Sequence, residues 1–243
     1  MRVLGFVSYK GSNYQGWQKQ NNVPTIQEEL EKQLSQIFNQ EINIFASGRT
    51  DAGVHAFKQA FHFDVDKNVD LEKITYSLNR MLPNDIKIIT LQKVDDDFHA
   101  RFSVKRKTYI YKIYLDKKEP FEKDQKYVFP FSLDIDLFGE TIHLFEGKHD
   151  FKDFTSKEED EDNFVREIYS VSLSQNDKDL TVKFVGNGFM RYQIRNMVGS
   201  ALAVASKQID KDYVKNHLDS DKPRDIVNFK APPEGLYLFD VDY

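Results

Sequence analysis

The sequence has no cysteine. That excludes disulfides, thiolate nucleophiles and cysteine-ligated zinc. No apolar stretch approaches the length of a membrane span. A positive balance of charge is missing too: 34 Lys and Arg stand against 39 Asp and Glu, a net charge of −5. A uniformly basic nucleic-acid-binding chain would not look like this. Several motifs are absent as well. None of the six histidines falls in an H-E-x-x-H spacing, so no metal site is expected. Gly11-x-x-x-x-Gly16 continues into Trp17-Gln18 rather than Lys-Ser/Thr and is no phosphate loop, and no G-x-S-x-G elbow occurs. Met1-Arg2-Val3-Leu4-Gly5-Phe6 runs straight into strand-like sequence, without the pattern of a signal peptide. The expectation is a soluble, cytoplasmic protein with no membrane partner.

What is present is apolar mass and uneven charge. Twenty Phe and 12 Tyr among 243 residues supply more apolar area than a disordered chain carries. The length allows one large domain or two small ones. Residues 1–120 hold 18 basic and 15 acidic side chains (+3), and residues 121–243 hold 16 and 24 (−8). Within residues 101–118, seven cations (Arg101, Lys105, Arg106, Lys107, Lys112, Lys117 and Lys118) face one acid, Asp116. A local patch sets attraction to a phosphate chain whatever the total charge. The run 158–162 is wholly acidic and reads as a solvated surface loop.

Patterning gives the elements. Residues 2–9 read as a strand, and 10–24, with three Asn, two Gly and a Pro, as a long loop. Thr25 and Glu28 have capping-box spacing before an apolar stripe of Ile26, Leu30, Leu34, Ile37 and Phe38. Strands near 42–47 and 58–65, a helix over 71–81 and a strand over 85–94 follow. The order strand, helix, strand, strand, helix, strand is the ferredoxin-like split arrangement, with both helices on one face of the sheet. Beyond residue 104 the pattern predicts strands at 107–115, 166–174 and 179–186, helices at 134–146, 190–206 and 210–218, and a last strand near 236–242. The expected fold is α+β: two ferredoxin-like split α/β halves forming a mixed, mainly antiparallel sheet with helices packed on it. The expected domains are 1–103 and 104–243.

The segment densest in chemistry is Ser47-Gly48-Arg49-Thr50-Asp51-Ala52-Gly53-Val54-His55-Ala56, between two predicted strands. Its two glycines allow tight turns and close approach of a ligand. One reading is a hairpin loop with a local Arg49–Asp51 ion pair. The other presents Asp51 as a nucleophile or general base.

This segment resembles the catalytic motif of the tRNA pseudouridine synthase A family, and the resemblance runs along nearly the whole chain. Tyr9-Lys10-Gly11-Ser12-Asn13-Tyr14-Gln15-Gly16-Trp17-Gln18 is similar to the family's N-terminal signature. His99-Ala100-Arg101-Phe102-Ser103 with Tyr109 and Tyr111 is similar to its middle motif. Gly147 to Phe151, Gly186 to Met190, Arg195 to Gly199 and Ala231 to Leu238 match later blocks. Lys10 departs from the pattern, standing where the family often has an acid. The resemblance implies a pseudouridine synthase fold with an active-site cleft between the halves. It also implies isomerisation of uridine at positions 38–40 of the tRNA anticodon stem-loop. No metal or organic cofactor is required in the family, which acts as a homodimer. It assigns Asp51 as the catalytic aspartate, Tyr109 as the active-site tyrosine that stacks on the flipped base, and Arg195 as the cation of the pocket. Leu238 corresponds to a pocket-lining leucine. Arg49 fills the space vacated by the flipped base or binds the flanking phosphate.

Each assignment has a plainer counterpart: Tyr109 as a core strand residue, Arg195 on the outer face of an amphipathic helix, Leu238 in the core. Arg101, Lys105, Arg106 and Lys107, with interleaved aromatics, suit an RNA-facing surface, or else an exposed strand whose lysines deter edge pairing. His55 is counted with the RNA-contacting residues. Tyr14, Trp17 and Gln18 either touch RNA or seal the first loop onto the sheet. Two competing functions stand beside the isomerase: a catalytically lapsed tRNA-binding protein of the same fold, and a small-molecule hydrolase using Asp51 with His55.

Overall fold

The computed structural model describes residues 1–66, 69–117, 119–156, 163–218 and 221–243. The acidic run 158–162 and Lys118 lie outside the described residues. Contacts divide the chain into two compact units, Met1–Lys105 with Tyr237–Tyr243, and Arg106–Leu236.

The first unit runs β1 (Arg2–Tyr9), α1 (Ile26–Phe38), β2 (Phe45–Ala46), β3 (His55–Asp64), α2 (Leu71–Met81) and β4 (Ile86–Val94). Its strands lie in the order β4-β1-β3, with β2 against β3, and all these pairs are antiparallel. This is the split arrangement expected from the sequence. Thr25 caps α1, its hydroxyl accepting the Glu28 amide at 3.4 Å. Asp70 caps α2 by accepting from Glu72 and Lys73. The α1 stripe of Ile26, Leu30 and Leu34 is buried, as are Trp17, Phe61 and Phe63. Burying each such side chain contributes about 1.5–3 kcal/mol.

The strand expected over 42–47 shrinks to the two residues of β2. Side chains of α1 take the amides that a longer ladder would use. Ser35 Oγ accepts from Ile42 N at 2.9 Å, and the buried Glu31 carboxylate accepts from Ile44 N at 3.1 Å.

The second unit contains β5 (Arg106–Leu115), β6 (Tyr127–Phe129), α3 (Ile135–Ile142), β7 (Gly147–Asp150), β8 (Val165–Asn176), β9 (Asp179–Gly186), α4 (Gln193–Ala205) and α5 (Lys211–His217). Its strand order is β5-β9-β8-β7, antiparallel throughout, with β6 parallel to β5. Every residue of α4 is buried, the polar Gln193, Arg195 and Asn196 of its first turn included, and the rest of the helix is apolar or small, as full burial requires.

The last strand, β10 (Leu236–Asp242), runs parallel to β3, with Tyr237 opposite His55 and Leu238 opposite Ala56. Lys105 N donates to Asp242 O, and the Tyr243 hydroxyl to Ala100 O. These bonds place Tyr237–Tyr243 with the first unit, where a division at 103/104 assigns them to the second. The fold is α+β with mostly antiparallel strands. Among the described residues no helix is long and apolar enough to cross a membrane.

Candidate active site

The Asp51 loop joins β2 to β3, and its backbone is held from three sides. At its start, the buried Gln59 of β3 accepts from Ser47 Oγ at 2.6 Å and donates to Gly48 O at 2.8 Å. At its crown, Val54 N donates to Asp51 O at 3.1 Å, closing a tight turn through Gly53 at φ 78°. From beneath comes the first loop. Trp17 N donates to Thr50 O at 3.0 Å, and Gly53 N to Tyr14 O at 3.2 Å. The Thr50 and Tyr9 hydroxyls share a hydrogen bond of 2.8 Å.

This seat requires glycine at two positions. Gly16 has φ 91°, and a Cβ there would stand 2.6 Å from Thr50 O. A Cβ on Gly11 would collide with the Val54 carbonyl. Tyr14 and Trp17 are buried, so the first loop seals onto the sheet. Lys10, half-exposed, gives its amide to Asp85 O at 2.9 Å.

Alternation along the loop sorts the side chains. Thr50 points inward, Arg49 is exposed and Asp51 is half-exposed. His55 is only 1 % exposed. Its Nδ1 accepts the Gly11 amide at 3.0 Å, and its ring stacks on Tyr237 with centroids 4.5 Å apart. Neutral His55 therefore carries its proton on Nε2. This is a positioning place beneath the loop rather than an RNA-facing one, and it leaves the hydrolase reading without a water-facing imidazole. Leu238 is buried, with its backbone in register with Ala56 at the end of the same segment.

The second unit holds its candidates in regular elements. Arg195 lies on α4, 8 % exposed, with Nε donating to Ala231 O at 2.8 Å and its guanidinium 5.3 Å from the Tyr192 ring centroid. Ala231 N returns a bond to Arg195 O at 2.9 Å. Tyr109 and Tyr111 share one face of β5. Tyr109 is buried edge-on against Phe189, with centroids 5.2 Å apart. The Tyr111 hydroxyl donates to Pro232 O at 2.7 Å. Arg195 and Tyr111 thus hang from consecutive carbonyls of one segment. Burial, followed by the charge of Glu234, pushes the Tyr111 phenol well above its ordinary value. Burial likewise raises the half-buried Glu234 carboxyl, and the Arg195 charge opposes that rise.

The basic residues remain outward. Arg101, Lys105 and Arg106 are exposed and Lys107 is half-exposed. The aromatics expected to interleave with them do not share that surface on β5, because Tyr109 and Tyr111 turn inward. Phe102, 75 % exposed beneath the Arg101 guanidinium at 5.6 Å, is the ring that faces out.

Sequence reasoning passed over Gln59 and Asp85, and named Tyr111 and Glu234 only as members of longer motifs without a role. The only local signals were a Pro-Asn-Asp turn before β4 and the rigid Pro-Pro-Glu-Gly turn before β10. Their partners lie too far along the chain for spacing to reveal them.

Comparison with known proteins shows what the chain is similar to. A family model described as tRNA pseudouridine synthase matches residues 6–103 and 141–243. Tyr109 and Lys105–Lys107 fall in the unmatched stretch between. A tRNA pseudouridine synthase A of Streptococcus uberis is 38 % identical over 246 residues, covering 100 % of this chain and 98 % of that protein. The Geobacillus sp. protein of the same name is 38 % identical with 100 % and 98 % coverage, and the Staphylococcus aureus one 37 % identical with 98 % and 90 %. A crystal structure of a Cbf5-Nop10-Gar1 complex aligns with a TM-score of 0.37 and 11 % identity over 82 % of this chain and 53 % of that one. Similarity at that level bears on neither fold nor function.

Proposed function

The chain belongs to the tRNA pseudouridine synthase family, whose members isomerise uridine to pseudouridine, and from that premise we propose that it acts at positions 38–40 of the tRNA anticodon stem-loop with Asp51 as its catalytic carboxylate. The observation that carries this reading is the setting of Asp51. It is half-exposed on a loop whose backbone is clamped at both ends and from beneath. A reacting carboxylate needs such placement, because misplacement by about 1 Å costs on the order of a hundredfold in rate.

The reaction rearranges atoms without adding any. The N1–C1′ bond breaks, the uracil turns, a C5–C1′ bond forms, the C5 proton departs and N1 gains one. The uracil leaves the stack first. Arg49, exposed two residues before Asp51, fills the vacated space or binds the flanking phosphate. Asp51 attacks the sugar or base, or removes a sugar proton. Tyr109 stacks on the flipped base, and its hydroxyl accepts the C5 proton as it passes its own to solvent. Arg195 balances negative charge that develops on the reacting groups, and Leu238 lines the pocket. Arg101, Lys105, Arg106 and Lys107 contact phosphates. His55 serves by holding the loop. The enzyme works in the cytoplasm as a homodimer and without a cofactor.

The test is release of label from tRNA carrying tritium at uracil C5, with nucleoside analysis of the product. Wild type is expected to release label and form pseudouridine at 38–40. Asp51→Ala and Asp51→Asn are expected to abolish release while tRNA affinity changes by less than about twofold. Wild-type protein that binds tRNA but releases nothing would establish the lapsed-relative reading instead.

A further inference from the structure

We propose that Asp85 is a positioning residue for the Asp51 loop, acting through the first loop. This rests on the reading of Asp51 as the catalytic carboxylate.

Asp85 sits in the turn between α2 and β4, where Ile86 N donates to Pro83 O at 3.0 Å. All three of its oxygens hold the first loop. The backbone O accepts from Lys10 N at 2.9 Å. Oδ1 accepts from the Tyr14 hydroxyl at 2.6 Å, and Oδ2 from Asn13 Nδ2 at 3.1 Å. The opposite side of the same eight-residue stretch, 10–17, carries the seat of the Asp51 loop. Tyr14 O receives the Gly53 amide, Trp17 N bonds Thr50 O, and Gly11 N bonds His55 Nδ1. Gly11 and Gly16 bring the two backbones into direct contact. Residues 10–17 therefore form a strut with Asp85 at one end and the Asp51 turn at the other. Tyr14 spans it, its hydroxyl on Asp85 and its carbonyl on Gly53.

A carboxylate suits the anchor because it offers only acceptors, and both of its partners donate. The Tyr14 phenol is held above its ordinary value by burial and then by its bond to Asp85, so it stays a donor. Asparagine at 85 would turn an NH2 toward one donor. Loss of the anchor frees the strut, and Asp51 then samples positions away from the reacting atoms. Substrate-binding groups stay in place, so the deficit falls on kcat rather than KM.

The experiment compares Asp85→Asn, Tyr14→Phe and the exchanged pair Asn13→Asp with Asp85→Asn. The exchanged pair restores one donor facing one acceptor at each contact. Steady-state label release gives kcat and KM, and amide hydrogen exchange reports on Gly53 and Trp17. Asp85→Asn is expected to lower kcat by about tenfold or more, with KM within about twofold. It is also expected to speed exchange at both amides by about tenfold. The exchanged pair recovers both readouts. Tyr14→Phe shows the same pattern, and adding it to Asp85→Asn costs little more. Tyr14→Phe removes one hydroxyl, so it decides the matter even if Asp85→Asn fails to fold. Unchanged kcat, or a fall in kcat with Gly53 exchange unmoved, overturns the proposal. Asp51→Asn is assayed alongside. If it is inactive while Asp85→Asn matches wild type, only the positioning role falls. If Asp51→Asn stays active, the reading of the site falls, and Gly53 exchange still decides whether Asp85 holds the loop.

Discussion

The two units fix their candidate groups by opposite means. In the first, Asp51 stands on irregular backbone, and its position is set by amides, carbonyls and the absence of two Cβ atoms at Gly11 and Gly16. In the second, Arg195 and Tyr109 stand on a helix and a strand of regular backbone, and the glycines there, Gly199 on α4 and Gly235 beside β5, serve close packing rather than a left-handed turn. What is specified instead is a side-chain grip: Arg195 Nε on Ala231 O and the Tyr111 hydroxyl on Pro232 O. A loop site is defined by what cannot fit beside it. A site on regular elements is defined by which buried polar atoms must be met. The two should therefore break under different substitutions.

The largest effect is expected where the loop is seated. Gly16→Ala places a Cβ in the left-handed region and 2.6 Å from the Thr50 carbonyl. It should cost about 2–4 kcal/mol of stability and most of the label release. Gly188→Ala in the second unit meets nothing within 4 Å and should stay within about 0.5 kcal/mol of wild type. Urea denaturation of both variants checks this. Equal costs would mean the two loops are built alike, and the comparison would fail.

The next effect probes the side-chain grip. Arg195→Lys loses the planar Nε–H bond that a lysine cannot reproduce. Tyr111→Phe strips the Pro232 carbonyl of its donor. Each should cost about 1–2 kcal/mol. Because the two carbonyls are consecutive, the double variant should depart from additivity by at least about 0.5 kcal/mol. Additive losses would show that the segment holding them does not act as one piece.

Much of the first unit was legible because its signals are local. The Thr25 cap, the Ile26–Leu30–Leu34 stripe, the helix over 71–81 and the strand before Val94 all appear where periodicity puts them. What was not legible depends on distant partners. The strand at 42–47 shortened because Ser35 and Glu31 compete for its amides. The helix expected from residue 190 starts at Gln193, because Tyr192 adopts φ 63° and Gln193 Oε1 caps Met190 N. The parallel contact of β10 with β3 joins residues some 180 apart, and no window of sequence reports it. At the candidate site the Gly-punctuated loop around Asp51 could be read directly. The inward turn of His55 and the wedge of Gly11 and Gly16 could not, since each is decided by atoms about 40 residues away.

The effect that vanishes at neutral pH concerns acid, and it separates the units by their buried imidazoles. His217 in the second unit faces a carboxylate, with Nδ1 2.8 Å from Asp153 Oδ2. His62 in the first unit has no such neighbour at Nδ1, which accepts the Ala100 amide at 3.2 Å while the ring lies under Phe45. Burial, then the nearby His99 and Arg2, lowers His62 to about 4, with Asp64 opposing. Between pH 6.5 and about 4 the unfolded chain binds a proton that the folded unit refuses. The His62 contribution is therefore intact above pH 6.5 and is lost as pH falls toward 4, with a slope of at most ~1.4 kcal/mol per pH unit. Carboxylates titrate in the lower part of that window, so the quantity to measure is the difference between wild type and His62→Asn. The asparagine oxygen can accept the Ala100 amide and does not titrate. Urea midpoints at pH 7, 6 and 5 should converge for the two proteins as pH drops. Parallel lines would mean His62 takes its proton in the folded state, and the first unit would then owe none of its acid sensitivity to that ring.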